Sequence, residues 1–191
     1  PGLLVGWAAL TGRWRAAAVA VLVVVAGALT ATIVTGSQPW FDYPALLGRV
    51  SSPITTPHNF TPGAVAWQAG ASVDLAGVIQ GLATLGTVVL AVVAARTVAP
   101  DASYLVAVVA SQLVSPLLWD HYAMLLLLPV AWLLERRHWW AIAVPLATSF
   151  LLIGLAPPVV YPTVFAVCLV GPAVVGRRSQ ALASPSRKSV G

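Results

Sequence analysis

The sequence predicts an all-α, polytopic transmembrane helix bundle, and three observations carry this prediction. Of the 191 residues, 59% are apolar and only 8% are charged, and the mean hydropathy is +0.91. Soluble domains carry about 25% charged residues, so the composition excludes a soluble globular protein, a nucleic-acid-binding module and a disordered chain. The apolar residues form runs close to the roughly 20 residues that cross a bilayer. Basic residues cluster at alternate ends of these runs.

Six apolar runs are candidate spans, and a shorter run at 1–12 is typical of the end of a truncated one. Residue 1 is proline, and no basic segment with a cleavage site precedes the first run. We therefore expect no signal peptide, and we expect the chain to be the C-terminal part of a longer protein. The six expected spans are 16–35, 75–95, 102–114, 117–134, 139–155 and 161–175.

The basic residues predict the orientation of these spans. If Arg13 and Arg15 lie in the cytoplasm, alternation places nine of the ten Lys and Arg residues there, with Arg49 as the exception. This asymmetry is the positive-inside pattern of cell-membrane proteins. We expect a multi-pass membrane portion at 1–178 and a disordered cytoplasmic tail at 179–191.

The loop at 36–74, expected outside, is too long for a simple connector. Apolar side chains recur at helical spacing around Asp42 and Arg49, which predicts a short amphipathic helix in the membrane interface. The proline-containing stretch at 51–62 should be irregular, and 63–70 is expected to form a second short helix.

The candidate chemistry lies on the predicted outer side. The sequence has no nucleotide-binding glycine loop, no zinc-ligand spacing and no serine-nucleophile elbow, so no cofactor and no metal-ligand set is indicated. Polar residues at membrane depth are costly and therefore indicate function. The residues that map to the outer side are Asp42, Arg49, His58, Asn59, Asp120 and His121.

The sharpest segment is Ser-Pro-Leu-Leu-Trp-Asp-His-Tyr at 115–122. We expect Ser115 to cap a membrane helix that begins at Pro116. Asp120 and His121 would then lie in its first turns, about 100° apart, and address different partners. The alternative is an interfacial helix cap within a belt of aromatic residues.

The loop residues have two interpretations each. Arg49 would hold a lipid phosphate bidentately, or it would snorkel or pair with Asp42. His58 and Asn59 would bind a sugar hydroxyl, or they would belong to an ordinary exposed loop.

The segment resembles a motif of glycosyltransferase family 87, which includes polyprenyl-phosphate-mannose-dependent mannosyltransferases of the bacterial envelope. Asn59 is a weaker match, because Phe60 and Thr61 depart from the Asn-Gln-Ser of the family. The residues that carry the resemblance are Ser115, Pro116, Trp119, Asp120 and His121.

This resemblance implies a GT-C-like fold with its active site on the outer face. It implies transfer of a sugar, here mannose, from a polyprenyl-phosphate donor to a lipid-linked glycan acceptor. The catalytic carboxylate of the family lies in a first external loop upstream of residue 1, so we do not expect this chain to act alone. His121 is the candidate supporting catalytic residue, and the candidate substrate-binding residues are Arg49, His58, Asn59, Trp119 and Asp120.

The partners are then the two lipid-borne substrates and membrane lipids, with no nucleic acid. The alternative is a non-catalytic transporter or flippase fragment. It predicts ionisable residues at mid-span, or broken helices in paired halves. The sequence places no Asp, Glu, Lys or Arg in the middle of a predicted span.

Overall fold

A computed structural model describes residues 2–50, 53–56 and 58–183, with the side chains of 47–50 and 178–183 excepted. All regular structure in this part of the chain is helical, which confirms the all-α prediction. Short 3₁₀ segments lie at Pro53–Thr55, Asp120–Leu126 and Trp139–Ile142. The α-helices are α1 (Gly2–Leu10), α2 (Trp14–Thr35), α3 (Gln38–Val50), α4 (Pro62–Gln68), α5 (Val73–Thr97), α6 (Pro100–Leu113), α7 (Leu127–Glu135), α8 (Ala143–Leu152) and α9 (Val160–Ala183).

Three of the described helices are long and apolar enough to cross a membrane, namely α2, α5 and the part of α9 up to Arg177. The 22 residues of α2 extend for about 33 Å at the rise of an α-helix, against a hydrocarbon core of about 30 Å. These helices match the predicted spans at 16–35, 75–95 and 161–175.

The other three predicted spans are shorter than expected. Helix α6 has 14 residues, or about 21 Å. The runs at 117–134 and 139–155 are helical from Asp120 to Glu135 and from Trp139 to Leu152, but each begins with a 3₁₀ segment that continues directly into a short α-helix. In both, the α-helix begins two residues before a proline, Pro129 or Pro145. Proline has no N–H and is favoured in the first helical turn, which suits Pro129 and Pro145. Proline position alone does not set where a helix starts, because Pro172 lies inside α9.

The two short helices predicted in the 36–74 loop are present as α3 and α4. Helix α9 continues to Ala183, five residues into the expected tail. Residues 184–191 of that tail lie outside the described residues.

The core lies where α6 packs between α5 and α9. A Cβ atom on Gly176 would lie 2.5 Å from Cβ of Ala102 and 2.6 Å from Cγ1 of Val98, so only glycine permits this approach of α9 to α6. Helix α2 is different, because only 6% of its apolar stretch is buried within the chain.

Segments that the alternation places on one side of the membrane do meet. We name as the loop end the part formed by residues 53–56, 58–70, 114–123 and 160–161, where Phe60 N–H donates to Leu118 O at 2.9 Å. We name as the arginine end the part formed by residues 11–16, 96–103, 132–138 and 176–177, where Arg136 pairs with Asp101. This agrees with the predicted alternation, and the identity of the cytoplasmic side stays a prediction.

Candidate functional site

The segment at 114–123 turns the chain at the loop end without forming the expected helix start. The prediction that Ser115 caps a helix beginning at Pro116 is wrong. Ser115 Oγ instead accepts Leu117 N–H at 3.4 Å, and helical structure begins only at Asp120. Trp119 before it is extended, with φ −87° and ψ 154°. The main-chain groups just before Trp119 are held by another part of the chain.

Asn59 holds this extended segment. Its Nδ2 donates to Pro53 O at 2.6 Å and to Pro116 O at 3.1 Å. Its Oδ1 accepts Thr61 N–H at 3.1 Å and Leu118 N–H at 3.0 Å. The residue is 1% exposed, so both amide hydrogens and both oxygen lone pairs are used internally. Asn59 therefore positions the backbone of the segment, and the interpretation of its surroundings as an ordinary exposed loop is wrong.

The short helix α4 connects Asn59 to the long helix α5. Gln68 Nε2 donates to Asn59 O at 2.9 Å, and Gly63 N–H donates to Gln80 Oε1 on α5 at 3.0 Å. A Cβ on Gly63 would lie 2.6 Å from Ala76 O, so α4 lies directly against the α5 backbone. The loop residue Asn59 is thereby fixed to a long membrane helix.

Tyr161, at the start of α9, holds the other side of the segment. Its hydroxyl accepts Ala123 N–H at 2.9 Å and lies 2.7 Å from Trp119 O, with Asp120 O as a further close acceptor. The side chain is fully buried, and its ring lies 4.9 Å from that of Phe60. Sequence reasoning missed this residue. The available signal was a tyrosine at the predicted outer end of a span, facing the same side as 115–122.

Between these two supports, the His121 side chain projects outward and is 65% exposed. Its ring centroid lies 4.7 Å from that of Tyr122, edge to face, and 6.4 Å from that of Trp119. His121 Nδ1 lies 3.6 Å from Asp120 Oδ1, which also accepts His121 N–H at 2.8 Å. The expectation that these two side chains point apart is wrong, because Asp120 is the first residue of a 3₁₀ segment and turns back onto its neighbour.

The remaining predicted site residues make fewer contacts with the His121 segment or lie outside the described side chains. His58 is exposed with φ 57° and directly precedes Asn59. Asp42 is exposed and accepts Gln38 Nε2 at 3.0 Å. The side chain of Arg49 lies outside the described residues, so both interpretations of it stay open. In the described part of the chain, no three His, Cys, Asp or Glu side chains gather as metal ligands.

The arrangement presents an imidazole and a carboxylate on a rigid support, with aromatic faces beside them. An imidazole donates or accepts hydrogen bonds according to its protonation state. Below it, a cavity of about 190 Å³ opens between α7 and α8, lined by Ala123, Met124 and Thr148 among others. The site therefore offers polar groups next to an apolar recess.

The arginine end carries a second polar cluster. Trp132 Nε1 donates to Asp101 Oδ2 at 2.8 Å, and the Arg136 guanidinium bonds the same oxygen at 2.9 Å while lying 3.8 Å above the Trp132 ring. Burial raises the pKa of Asp101, but these contacts and the Ala102 N–H outweigh it and hold that pKa below its ordinary value. This cluster joins the α5–α6 turn to the end of α7.

Comparison with known proteins places the chain in one family. The model of a family described as glycosyltransferase family 87 matches residues 1–116, well over half of the chain. The match includes Asn59, Ser115 and Pro116 and ends before Trp119. No curated protein and no solved structure gives a significant match. The family predicted from the motif is thus confirmed mainly by residues outside it, and the chain belongs to glycosyltransferase family 87, a family of membrane glycosyltransferases.

Proposed function

We propose that this chain forms part of the active site of a GT-C-type glycosyltransferase that uses a polyprenyl-phosphate sugar. The transferred sugar is mannose, the acceptor is a lipid-linked glycan, and the loop end faces the outside of the membrane. The observation that carries the proposal is the exposed His121, with Asp120 and two aromatic rings, on a segment fixed by Asn59 and Tyr161.

The chemistry assigns His121 a supporting role. Glycosyl transfer needs a base at the acceptor hydroxyl and stabilisation of the departing phosphate. The role of principal catalytic carboxylate is assigned to no residue of this chain. His121 donates a hydrogen bond to the donor phosphate or to the sugar, Asp120 orients the imidazole, and the face of Trp119 packs on the sugar. His58 and Arg49 contact the donor headgroup from the loop.

A lipid-borne donor suits the surroundings of this cluster. The cavity between α7 and α8 begins two residues after His121 and is mainly apolar, so it admits the first part of a prenyl chain. A soluble nucleotide sugar would need a polar site of its own. The connectors at the arginine end, such as 136–138, are too short to build one.

The test is transfer by the purified full-length enzyme with His121→Ala and His121→Gln. We expect His121→Ala to lower kcat on the order of 10²-fold, as for the loss of a transition-state hydrogen-bond donor, and His121→Gln to retain more activity. His138→Ala, at the arginine end, is the matched control and should transfer at the wild-type rate. Each variant is checked for monodisperse elution.

Two results would contradict the proposal. One is wild-type turnover by a well-folded His121→Ala variant, which would reduce the residue to an interfacial cap. The other is transfer from nucleotide-linked mannose but not from polyprenyl-phosphate mannose, which would refute the proposed donor.

A further inference from the structure

The arginine end gathers basic side chains from four separate segments. Arg136 at the end of α7 bonds Asp101 at the start of α6, and Gly176 of α9 packs against Val98 at the end of α5. The α1–α2 turn joins them through Trp7, whose indole N–H donates to Ser103 at 3.0 Å. The arginines described here are Arg13, Arg15, Arg96, Arg136, Arg137 and Arg177.

Most of this charge is not neutralised. The two carboxylates of this end, Asp101 and Glu135, both pair with Arg136, at 2.9 and 3.0 Å. The other five arginines have no carboxylate partner within the described part of the chain. Unpaired like charges brought together create a positive potential that attracts anions.

One part of this surface forms a shallow, open pocket. This depression of about 500 Å³ is lined by residues 12–16 at the start of α2, including Arg13 and Arg15. The Arg13 guanidinium lies 4.5 Å from the centroid of the Trp7 ring, and Trp7 is buried against α6. Arg13 is therefore already ordered against the bundle, and its side chain loses little conformational entropy when it binds an anion.

The surroundings of the pocket indicate the source of the anion. Only 6% of the apolar stretch of α2 is buried within the chain, and its length and composition are those of a membrane-crossing helix. Trp14, between the two arginines, is 67% exposed, as is typical of aromatic residues in the membrane interface.

We propose that Arg13 and Arg15 bind the phosphate of an anionic phospholipid, in the leaflet opposite the His121 cluster. The planar guanidinium groups match a phosphodiester bidentately, and Trp14 packs beside the glycerol backbone. The lipid covers the exposed side of the start of α2, whose other side packs through Ala17 on Trp7, Ala8 and Ala107. The inference does not depend on the transfer reaction, because the pocket lies at the other end of the bundle.

The test measures lipid binding by native mass spectrometry of the full-length enzyme in neutral detergent. Phosphatidylglycerol is titrated against phosphatidylcholine, and soluble glycerol phosphate is the arm for a free anion. We expect phosphatidylglycerol to bind preferentially, and Arg13→Gln/Arg15→Gln to weaken it roughly 5-fold for each charge removed. Arg137→Gln, at the same end but outside the pocket, is the matched control and should bind like the wild type.

Three results would overturn the proposal: equal binding of the two lipids, an equal loss in the Arg137→Gln control, or full competition by glycerol phosphate. Transfer activity of the double variant in neutral detergent should stay at the wild-type level. Transfer by His121→Ala tests the proposed function, and lipid binding by the same variant should equal that of the wild type. Because the two measurements are independent, either proposal can fail while the other stands.

Discussion

The two ends of the bundle are held together by different kinds of contact. At the loop end, the neutral and buried side chains of Asn59 and Tyr161 bond main-chain groups of a distant segment. At the arginine end, the charged and partly exposed Arg136 and Asp101 bond each other. A buried polar group left without its partner costs about 1–3 kcal/mol, whereas an exposed ion pair contributes about 0–1 kcal/mol and is screened by salt. The rigid end is therefore the one that presents His121.

The largest expected effect comes from Asn59→Ala. The substitution leaves the N–H groups of Thr61 and Leu118 and the carbonyl of Pro116 without their partner. We expect the free energy of unfolding to fall by about 2–5 kcal/mol, with loss of kcat because the segment before His121 is released. Thermal unfolding in detergent and transfer kinetics of the full-length enzyme measure both effects.

Gln112→Ala is the control for this variant. Gln112 lies on the same side of the bundle, and among the described residues its side-chain amide bonds only the Ser111 hydroxyl. It should change stability by less than about 1 kcal/mol. If Asn59→Ala instead keeps wild-type stability and raises only KM, Asn59 is a substrate contact and the positioning role is wrong.

Tyr161→Phe should have an intermediate effect. It preserves ring packing against Phe60 and Phe165 but leaves the Ala123 N–H without its acceptor. We expect a loss of about 1–3 kcal/mol in stability and a fall in kcat with little change in KM. Tyr104→Phe is the matched control, because this exposed tyrosine packs on Trp7 and its hydroxyl has no partner among the described residues. Equal effects of the two substitutions would remove Tyr161 from the support of the site.

The long helices could be predicted because their apolar runs match the bilayer. The 3₁₀ starts of the runs at 117–134 and 139–155 could not, because those runs are also mostly apolar. Proline does not distinguish them, because Pro129 and Pro145 lie near α-helix starts while Pro172 lies inside the long helix α9. Continuous hydrophobicity determines burial in the membrane but not whether the backbone is α-helical throughout.

The sequence named most residues of the candidate cluster but not their arrangement. His121 and Asp120 stood out because polar residues at the start of a span are rare. Asn59 was noticed but was assigned to substrate, because its partners, Pro116 and Leu118, are more than fifty positions away. Tyr161 was missed, because an interfacial tyrosine is common and only its partners in space distinguish it. Such long-range hydrogen bonds leave no spacing pattern in a single sequence.

The smallest expected effect tests the arginine end through pH. The contacts of Asp101 with Trp132, Ala102 N–H and Arg136 outweigh its burial and lower its pKa in the folded protein. A carboxylate with a lowered folded pKa adds stability above its unfolded pKa of about 3.9 and loses it as pH falls through the folded value. Asp101→Asn should therefore cost stability at pH 7, by less than about 1 kcal/mol because the pair is partly exposed. This difference in the free energy of unfolding should shrink below about pH 4 and in high salt.

Asp74→Asn controls for the helix dipole, because Asp74 lies in the first turn of α5 as Asp101 lies in the first turn of α6. Unfolding of both variants is measured from pH 3 to 7, and a difference for Asp101→Asn that grows with acidity would contradict the assigned ion pair.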